Sequence, residues 1–267
     1  MPNKALLIGI NAYLPPLKTL NGCLHDIEDV AGFLASSCGF GPDEIRFLRD
    51  GEATTAAIKA GLSELITAVQ PGDRVVLHYS GHGAQMPNWS GREIDSLDEV
   101  ICPVDFDWTD EHAVKDDDFR QAFQGVPAGV RFVWVSDSCH SGDLTRAPER
   151  LDRIPRLVPP PPDIATDIEA ARSRGVSTRP LVADAASLNL AYISGCRSDQ
   201  ISSDAEINGR WNGAATYFLL QALRARPREL LNQVVPHVVD ALLAANYTQE
   251  PQLEGSAQLA QSPFLQG

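Results

Sequence analysis

The sequence lacks any long apolar run. A membrane-spanning helix needs roughly 18 or more such residues, and no stretch approaches that length. The first apolar run, residues 5–10 (ALLIGI), is short, and polar Asn11 follows it before any site that a signal peptidase would recognise. We therefore predict a buried first strand, no membrane partner and a cytoplasmic location.

Basic residues are also scarce. Lysine and arginine number 22 against 35 acidic residues, which gives a net charge of −13. A nucleic-acid-binding protein needs a basic face, so this balance predicts no nucleic-acid partner. It would suit a protein that attracts basic substrates.

The five cysteines are scattered, at positions 23, 38, 102, 139 and 196, and no CxxC pair occurs. This spacing argues against a disulfide framework and against a structural zinc site. At least one cysteine is therefore available for another role.

Short apolar runs alternate with helical patterns along the chain. The apolar runs predict strands at residues 4–10, 45–48, 74–79, 130–136 and 191–194. The helical periodicity predicts helices near residues 22–37, 58–69, 117–124, 213–225 and 228–245. This alternation predicts an α/β fold with a mostly parallel central sheet of about six strands, sandwiched by helices.

Residues 143–187 interrupt this rhythm. Pro159–Pro162 cannot continue a helix or a central strand. The flanks are rich in arginine, at positions 146, 150, 153, 156, 172, 174 and 179. We predict a long exposed insert, disordered or acting as a linker, between residues 1–142 and residues 188–267, which complete the same domain.

Two predicted strands end in reactive sequences. One runs into Gly81-His82-Gly83 and the other into Ser138-Cys139-His140. Ligands of open parallel sheets bind beyond the carboxyl ends of the strands, so these residues are candidates for a shared site. A cysteine just past a strand end, in a polar run, is partly exposed, which is the setting in which a thiolate can form and react. The separation of His82 and Cys139 also matches the caspases, in which the histidine lies roughly 50 residues upstream of the cysteine.

Other interpretations of these residues exist. A histidine at a strand end often only bonds a loop, and a cysteine between serines and glycines is often inert. Cys139 and His140 could be metal ligands, but adjacent residues point to opposite sides and no partner cluster is present. Ser138 and Ser141 lie in no Gly-x-Ser-x-Gly elbow. We predict Cys139 as nucleophile and His82 as its acid–base partner.

Together, residues 78–83 (HYSGHG) and 137–142 (DSCHSG) resemble the metacaspases and orthocaspases, which are caspase-like cysteine peptidases. The resemblance extends to residues 4–11, 20–26, 98–105 and 193–200. It leaves the proline-rich insert unmatched. It implies an endopeptidase with a Cys/His dyad that acts through a thioester, with the oxyanion held by the amides of Gly83 and Cys139.

The resemblance also implies cleavage of protein substrates after arginine or lysine. The positions that match the family's specificity pocket are Cys23, Asp26, Ser80 and Asp137. Two carboxylates favour a guanidinium, which pairs with them bidentately, and repel an acidic side chain. The alternatives are a solvated helix carboxylate for Asp26 and a turn cap for Asp137.

Many metacaspases need calcium, and Asp98, Asp116 and Asp117 match that family's ligands. The interval between them is longer than usual, and Arg146 replaces an expected aspartate, for which Asp143 could substitute. A solvated acidic loop is the alternative. The chemistry itself requires no cofactor.

The arginine-rich insert suggests regulation. A protease that prefers arginine carries arginines just past its own nucleophile, so we predict cleavage between about 144 and 180, by the protein itself or by an upstream protease. An ordinary surface insertion is the alternative. Two other functions compete with a cysteine peptidase: a catalytically silent caspase-like scaffold and a different α/β hydrolase. The compact form of the chain suggests a bacterial setting.

Overall fold

Six strands form the central sheet of the computed structural model, which describes residues 2–90, 93–140, 152–182 and 185–265. The strands of the protein in chain order are β1 (Asn3–Gly9), β2 (Ile45–Arg49), β3 (Arg74–Ser80), β4 (Gly83–Ser90), β5 (Glu93–Ile101), β6 (Val114–Lys115), β7 (Arg131–Asp137), β8 (Arg153–Pro155), β9 (Thr178–Arg179), β10 (Ala191–Ser194), β11 (Ser203–Ile207), β12 (Arg210–Gly213) and β13 (Gln252–Gly255). The helices are α1 (Cys23–Cys38), α2 (Thr55–Ile66), α3 (Asp116–Phe123), α4 (Pro162–Ser173), α5 (Ala214–Ala225), α6 (Leu231–Ala244) and α7 (Ala257–Ala260).

The central sheet has the order β13-β10-β7-β3-β1-β2. All its neighbouring strands are parallel except β13, which runs antiparallel to β10. Every parallel connection crosses over through helical segments, as the sequence rhythm requires. The predicted α/β fold, with a mostly parallel sheet of about six strands, is confirmed.

Both faces of the sheet are buried. Successive side chains of a strand point to opposite faces, so β1 contributes Leu6 and Ile8 to one core and Leu7 to the other. Helices α2 and α3 cover the first face, where Leu62 and Phe119 pack, and α1, α5 and α6 cover the second. This double burial explains why β1 reads as an uninterrupted apolar run.

Two smaller sheets extend from the carboxyl edge of the central one. Strands β4, β5 and β6 are antiparallel, and β9 adds parallel to β5. Strands β12, β11 and β8 form an antiparallel ribbon. The sequence does not predict these strands, because polar residues, together with Pro87 inside β4, give no clear alternation.

The insert differs from the prediction of an exposed loop. Its described part contains β8, α4 and β9, and Arg156 within it is completely buried. The prolines precede α4 rather than interrupt it, because Pro162 is its first residue, where the missing N–H costs no hydrogen bond. The boundaries of the insert stay a prediction, and residues 141–151, with Asp143 and Arg146, lie outside the described residues.

In the part of the chain that the structure describes, no helix is both long and apolar enough to cross a membrane.

Candidate active site

The two reactive sequences meet because their strands are neighbours. Strands β3 and β7 pair in parallel, with Ser80 opposite Asp137. His82 and Cys139 each follow two residues later, so both lie at the same edge of the sheet. Their exposed fractions are 2% and 1%. The site is therefore closed to solvent in this chain.

His82 is held with one nitrogen free. Its Nε2 lies 2.8 Å from the carbonyl oxygen of Lys18. A carbonyl only accepts, so Nε2 carries the proton and Nδ1 holds the lone pair. Nδ1 is buried and has no hydrogen-bond partner among the described residues. The backbone N–H of His82 donates to the hydroxyl of Tyr13 at 2.8 Å, which fixes the turn.

The burial of His82 decides its charge. Burial lowers the pKa of His82 to about 4; the Lys18 carbonyl opposes this shift, and the nearby positive charge of Arg156 adds to it. The imidazole is therefore neutral near pH 7 and able to accept a proton through Nδ1.

Cys139 lies under the insert. Its side chain packs with Leu157 and Cys196, and its Sγ is 3.9 Å from the carbonyl oxygen of Ser202. The neighbouring His140 points elsewhere: its Nδ1 is 2.9 Å from the Val100 carbonyl oxygen. This arrangement contradicts the metal-pair interpretation of Cys139 and His140.

The competing serine nucleophiles gain no support. Among the described residues, the hydroxyl of Ser138 contacts Ser136 at 2.9 Å and His140 at 3.3 Å, and it makes no hydrogen bond to His82. Ser141 lies outside the described residues.

Two backbone amides converge on one carbonyl. The N–H groups of Gly83 and Cys139 donate to the carbonyl oxygen of Arg156 at 3.1 and 3.3 Å. They are the two amides expected to form an oxyanion hole. A Cβ on Gly83 would lie 2.4 Å from the Cys139 carbonyl oxygen, so only glycine allows this approach.

The Arg156 side chain fills an acidic pocket. Its Nη2 lies 2.8 Å from Asp26 and 3.0 Å from Asp204. Its Nη1 donates to the hydroxyl of Ser80 at 2.8 Å and lies 3.4 Å from the carboxylate of Asp137. The structure thus brings three of the four predicted pocket residues onto one guanidinium. All five side chains are buried.

The fourth predicted residue, Cys23, lies at the start of α1 and is buried. Burial raises the pKa of its thiol, although the positive charge of Arg156 opposes the shift, so the thiol is neutral. Its backbone N–H donates to the Asn11 side chain at 2.8 Å. Cys23 therefore forms an uncharged part of the pocket lining.

The pocket carboxylates are fixed by further donors. Asp26 accepts from the backbone N–H of Gly213 at 2.9 Å, and Asp137 accepts from the Thr216 N–H at 2.8 Å and the Ser202 hydroxyl at 2.6 Å. A Cβ on Gly213 would lie 2.2 Å from Asp137. The pocket is therefore pre-organised for a cation.

The pKa values of two neighbouring carboxylates, Asp26 and Asp137, are shifted in opposite directions. Burial raises the pKa of Asp26; the positive charge of Arg156 opposes this shift and the negative charge of Asp137 adds to it. Burial acts on Asp137 in the same sense, but Arg156 and the hydrogen bonds of Ser202 and Thr216 hold its pKa below the usual range. As the pH falls, Asp26 is therefore protonated before Asp137.

Sequence analysis missed Asp204. Its carboxylate accepts from the backbone N–H groups of Asn21 at 2.7 Å and Gly22 at 3.0 Å, which aim it at Arg156. It lies in β11, just beyond the last segment that carried the family resemblance. No sequence signal separates it from the other aspartates, because its partners are distant in the chain.

The predicted calcium ligands are only partly brought together. Asp98 is buried and accepts from Asn88 and Ser96. Both carboxylate oxygens of Asp116 are buried without a hydrogen-bond partner among the described residues. Burial raises the Asp116 pKa, and the nearby charge of Asp98 adds to the shift.

The Asp117 carboxylate forms an ion pair with Arg120. In the described part of the chain, no group of three His, Cys, Asp or Glu side chains could hold a metal. Asp98 and Asp116 therefore lie near each other, while Asp117 is paired with Arg120.

An apolar cavity of about 680 Å³ adjoins His82. Its wall includes Leu17, Phe106 and Trp108, together with Pro155 and Leu157 on either side of Arg156. The cavity therefore suits uncharged side chains next to the residue in the acidic pocket.

Comparison with known proteins agrees with this geometry. A family model of the metacaspase, peptidase C14 domain matches residues 3–148. Metacaspase-1A of Aspergillus niger is 32% identical over 95% of this chain and 70% of its own length. Metacaspase-1 of Coccidioides immitis is 32% identical over 95% of this chain and 61% of its own length.

The crystal structure of protein GSU0716 from Geobacter sulfurreducens is also similar. It is 26% identical, has a TM-score of 0.72 and covers 98% of both chains. The curated relatives named above are fungal, so they give the predicted bacterial setting no support. The chain belongs to the metacaspases of the peptidase C14 family and is a caspase-like cysteine peptidase.

Proposed function

We propose that this chain is an endopeptidase that cuts proteins after arginine or lysine with a Cys139/His82 dyad. The observation that carries the proposal is the position of Arg156. Its guanidinium lies in the acidic pocket while its carbonyl oxygen faces the amides of Gly83 and Cys139. A substrate arginine at the cleaved bond needs both contacts at once.

The proposed reaction has two stages. His82 takes the proton of the Cys139 thiol, and the thiolate attacks the carbonyl carbon of the substrate. The oxyanion is stabilised by the two amides; His82 then gives its proton to the departing amine, leaving a thioester. In the second stage His82 deprotonates a water molecule, which attacks the thioester, and the proton returns to the sulfur as the new carboxylic acid leaves.

The pocket favours arginine over lysine. The two terminal nitrogens of Arg156 reach different partners, Asp26 and Asp204 on one side and Ser80 and Asp137 on the other. A lysine ammonium is a single point charge and does not span both sides. We expect both residues to be accepted, with arginine cut faster.

The insert lies in the groove as a substrate would. The Arg156 N–H donates to the Ser202 carbonyl at 3.0 Å, and the Val158 N–H donates to the Gly83 carbonyl at 2.9 Å. Upstream, β8 pairs antiparallel with β11. Addition of an extended segment to a strand edge is a common mode of peptide recognition.

We therefore propose that the chain cuts its own Arg156–Leu157 bond, inside the predicted interval of 144–180. Until that cut, Arg156 fills the pocket and the chain is a zymogen. The complete burial of Arg156 favours self-cleavage over an upstream protease, which could not reach this bond.

Intact-mass spectrometry of the wild type, Cys139→Ala and Arg156→Gln tests the proposal. We expect fragments that end at Arg156 in the wild type alone. The same fragments from Cys139→Ala would show that another protease makes the cut.

Peptide assays of the wild type complete this test. Fluorogenic peptides ending in Arg or Lys should be cut and those ending in Asp should not. If the wild type cleaved none of them, the catalytically silent scaffold would be the better interpretation.

We also propose Ca²⁺ as an activator, held by Asp98 and Asp116. The support is a buried pair of carboxylates, one of which has two oxygens without a hydrogen-bond partner among the described residues. We expect excess chelator to lower activity and Ca²⁺ to restore it. Asp116→Asn should lose this response, and Asp117→Asn, the matched control, should keep it.

A further inference from the structure

We propose a second cation subsite in the substrate groove, formed by Tyr247 and the carbonyls of Ala245 and Asn246 just beyond α6, which binds an arginine three residues before the cleaved arginine. The inference rests on the proposed function. It narrows the substrate class to proteins with a basic residue, two uncharged residues and then arginine.

The register of the insert fixes which residue occupies the subsite. In the antiparallel pairing of β8 with β11, Pro155 lies opposite Ser203 and Arg153 lies opposite Ala205. With Arg156 at the proposed cut, Arg153 is therefore the third residue before it. A substrate strand that pairs in the same way would place its own side chain at this point.

Three groups hold the Arg153 guanidinium. Its central carbon lies 3.7 Å from the centroid of the Tyr247 ring. Nη1 donates to the Asn246 carbonyl at 2.7 Å, and Nη2 to the Ala245 carbonyl at 3.4 Å. A cation on an aromatic face gains most when it is desolvated, and the Arg153 side chain is only 17% exposed.

The tertiary structure fixes these groups independently of Arg153. The Tyr247 ring is 6% exposed and packs edge-on against Phe218, with centroids 6.0 Å apart. Asn246 has a φ of 61°, the left-handed conformation that asparagine tolerates. It follows the end of α6, whose last carbonyls carry partial negative charge.

Among the described residues, the carboxylate paired with Arg153 is that of its neighbour Asp152, 4.0 Å from Nε. That residue belongs to the bound segment and not to the groove. At this subsite the groove therefore selects a cation with an aromatic ring and two carbonyls. The carboxylates that surround Arg156 form a separate pocket.

The test uses three fluorogenic coumarin amides, Arg-Ile-Pro-Arg, citrulline-Ile-Pro-Arg and Ala-Ile-Pro-Arg. Citrulline matches arginine in shape but is neutral. For the self-cleaved wild type we expect kcat/KM for the arginine peptide to exceed that for the citrulline peptide about tenfold. Tyr247→Phe should keep this ratio, and Tyr247→Leu should reduce it to about two.

The ratio of two substrates on one enzyme does not depend on how much of a variant is folded. Equal rates for the three peptides, or an unchanged ratio in Tyr247→Leu, would overturn the subsite while leaving cleavage after arginine in place. If none of the peptides were cut, the proposed function would fail and the subsite with it.

Discussion

The guanidinium of Arg156 lies 2.8 Å from the carboxylate of Asp26, and neither side chain has any exposed surface. Asp137 and Asp204 complete the surroundings of the same guanidinium. Without a cation, this pocket would hold three buried negative charges. The chain supplies the cation itself, so another cation can enter this pocket only when Arg156 leaves.

The first prediction concerns stability. In a Cys139→Ala background, which cannot cut itself, Arg156→Gln should lower the free energy of unfolding by about 3–5 kcal/mol at neutral pH, because it leaves buried charges unpaired. The cost should shrink toward pH 5 as the carboxylates take up protons. Denaturant unfolding at both pH values measures it.

Arg210→Gln is the matched control for this prediction. Arg210 pairs with Asp29, but both side chains are partly exposed, so its loss should cost under about 1 kcal/mol. An equal cost for the two variants would show that Arg156 does not offset the charge of the pocket.

The second prediction concerns specificity. Asp204→Asn should lower kcat/KM for arginine peptides roughly 10- to 100-fold, because it removes a charge-assisted hydrogen bond to the substrate. Asp43→Asn, an exposed change just before β2 at the opposite edge of the sheet, should have no effect. Steady-state kinetics measure this change. An unchanged kcat/KM in Asp204→Asn would show that Asp204 does not bind the substrate arginine.

The third prediction concerns pH. Burial lowers the His82 pKa to about 4, against about 6.5 for an exposed histidine, so the closed state loses stability as the pH falls from about 6.5 to 4. Acidification should release the segment.

Hydrogen exchange in Cys139→Ala measures this release. The protection factors of the Arg156 and Val158 amides should fall between pH 7.5 and 5.5, while those of β1 stay constant. A parallel loss in β1 would mean general unfolding instead, and constant protection throughout would contradict the prediction.

The fourth prediction concerns the position of His82. The Tyr13 hydroxyl accepts from the His82 N–H and donates to the Cys102 carbonyl at 3.1 Å. Tyr13→Phe should therefore lower kcat on the order of tenfold with little change in KM, because a misplaced base affects the reaction more than binding. Tyr217→Phe, whose hydroxyl bonds only the exposed Asn208 side chain among the hydrogen bonds described, should change neither constant.

The sequence by itself determined the sheet and the placement of His82 and Cys139 at one edge of it. Apolar runs marked β1, β3, β7 and β10 to within a residue or two, because buried parallel strands leave a local pattern. His82 and Cys139 could be placed together since parallel strands end at one edge of a sheet. The proline-rich insert gave the wrong expectation, because composition alone does not reveal a segment that other strands bury.

Only the tertiary structure decided which arginine of the insert enters the pocket and which acids receive it. Seven arginines look alike in sequence, and Arg156 differs only because β8 pairs with β11 and sets its register. Asp204 and Tyr247 reach the insert across long stretches of chain. Such contacts depend on the packing of distant elements, and local patterns carry no record of them.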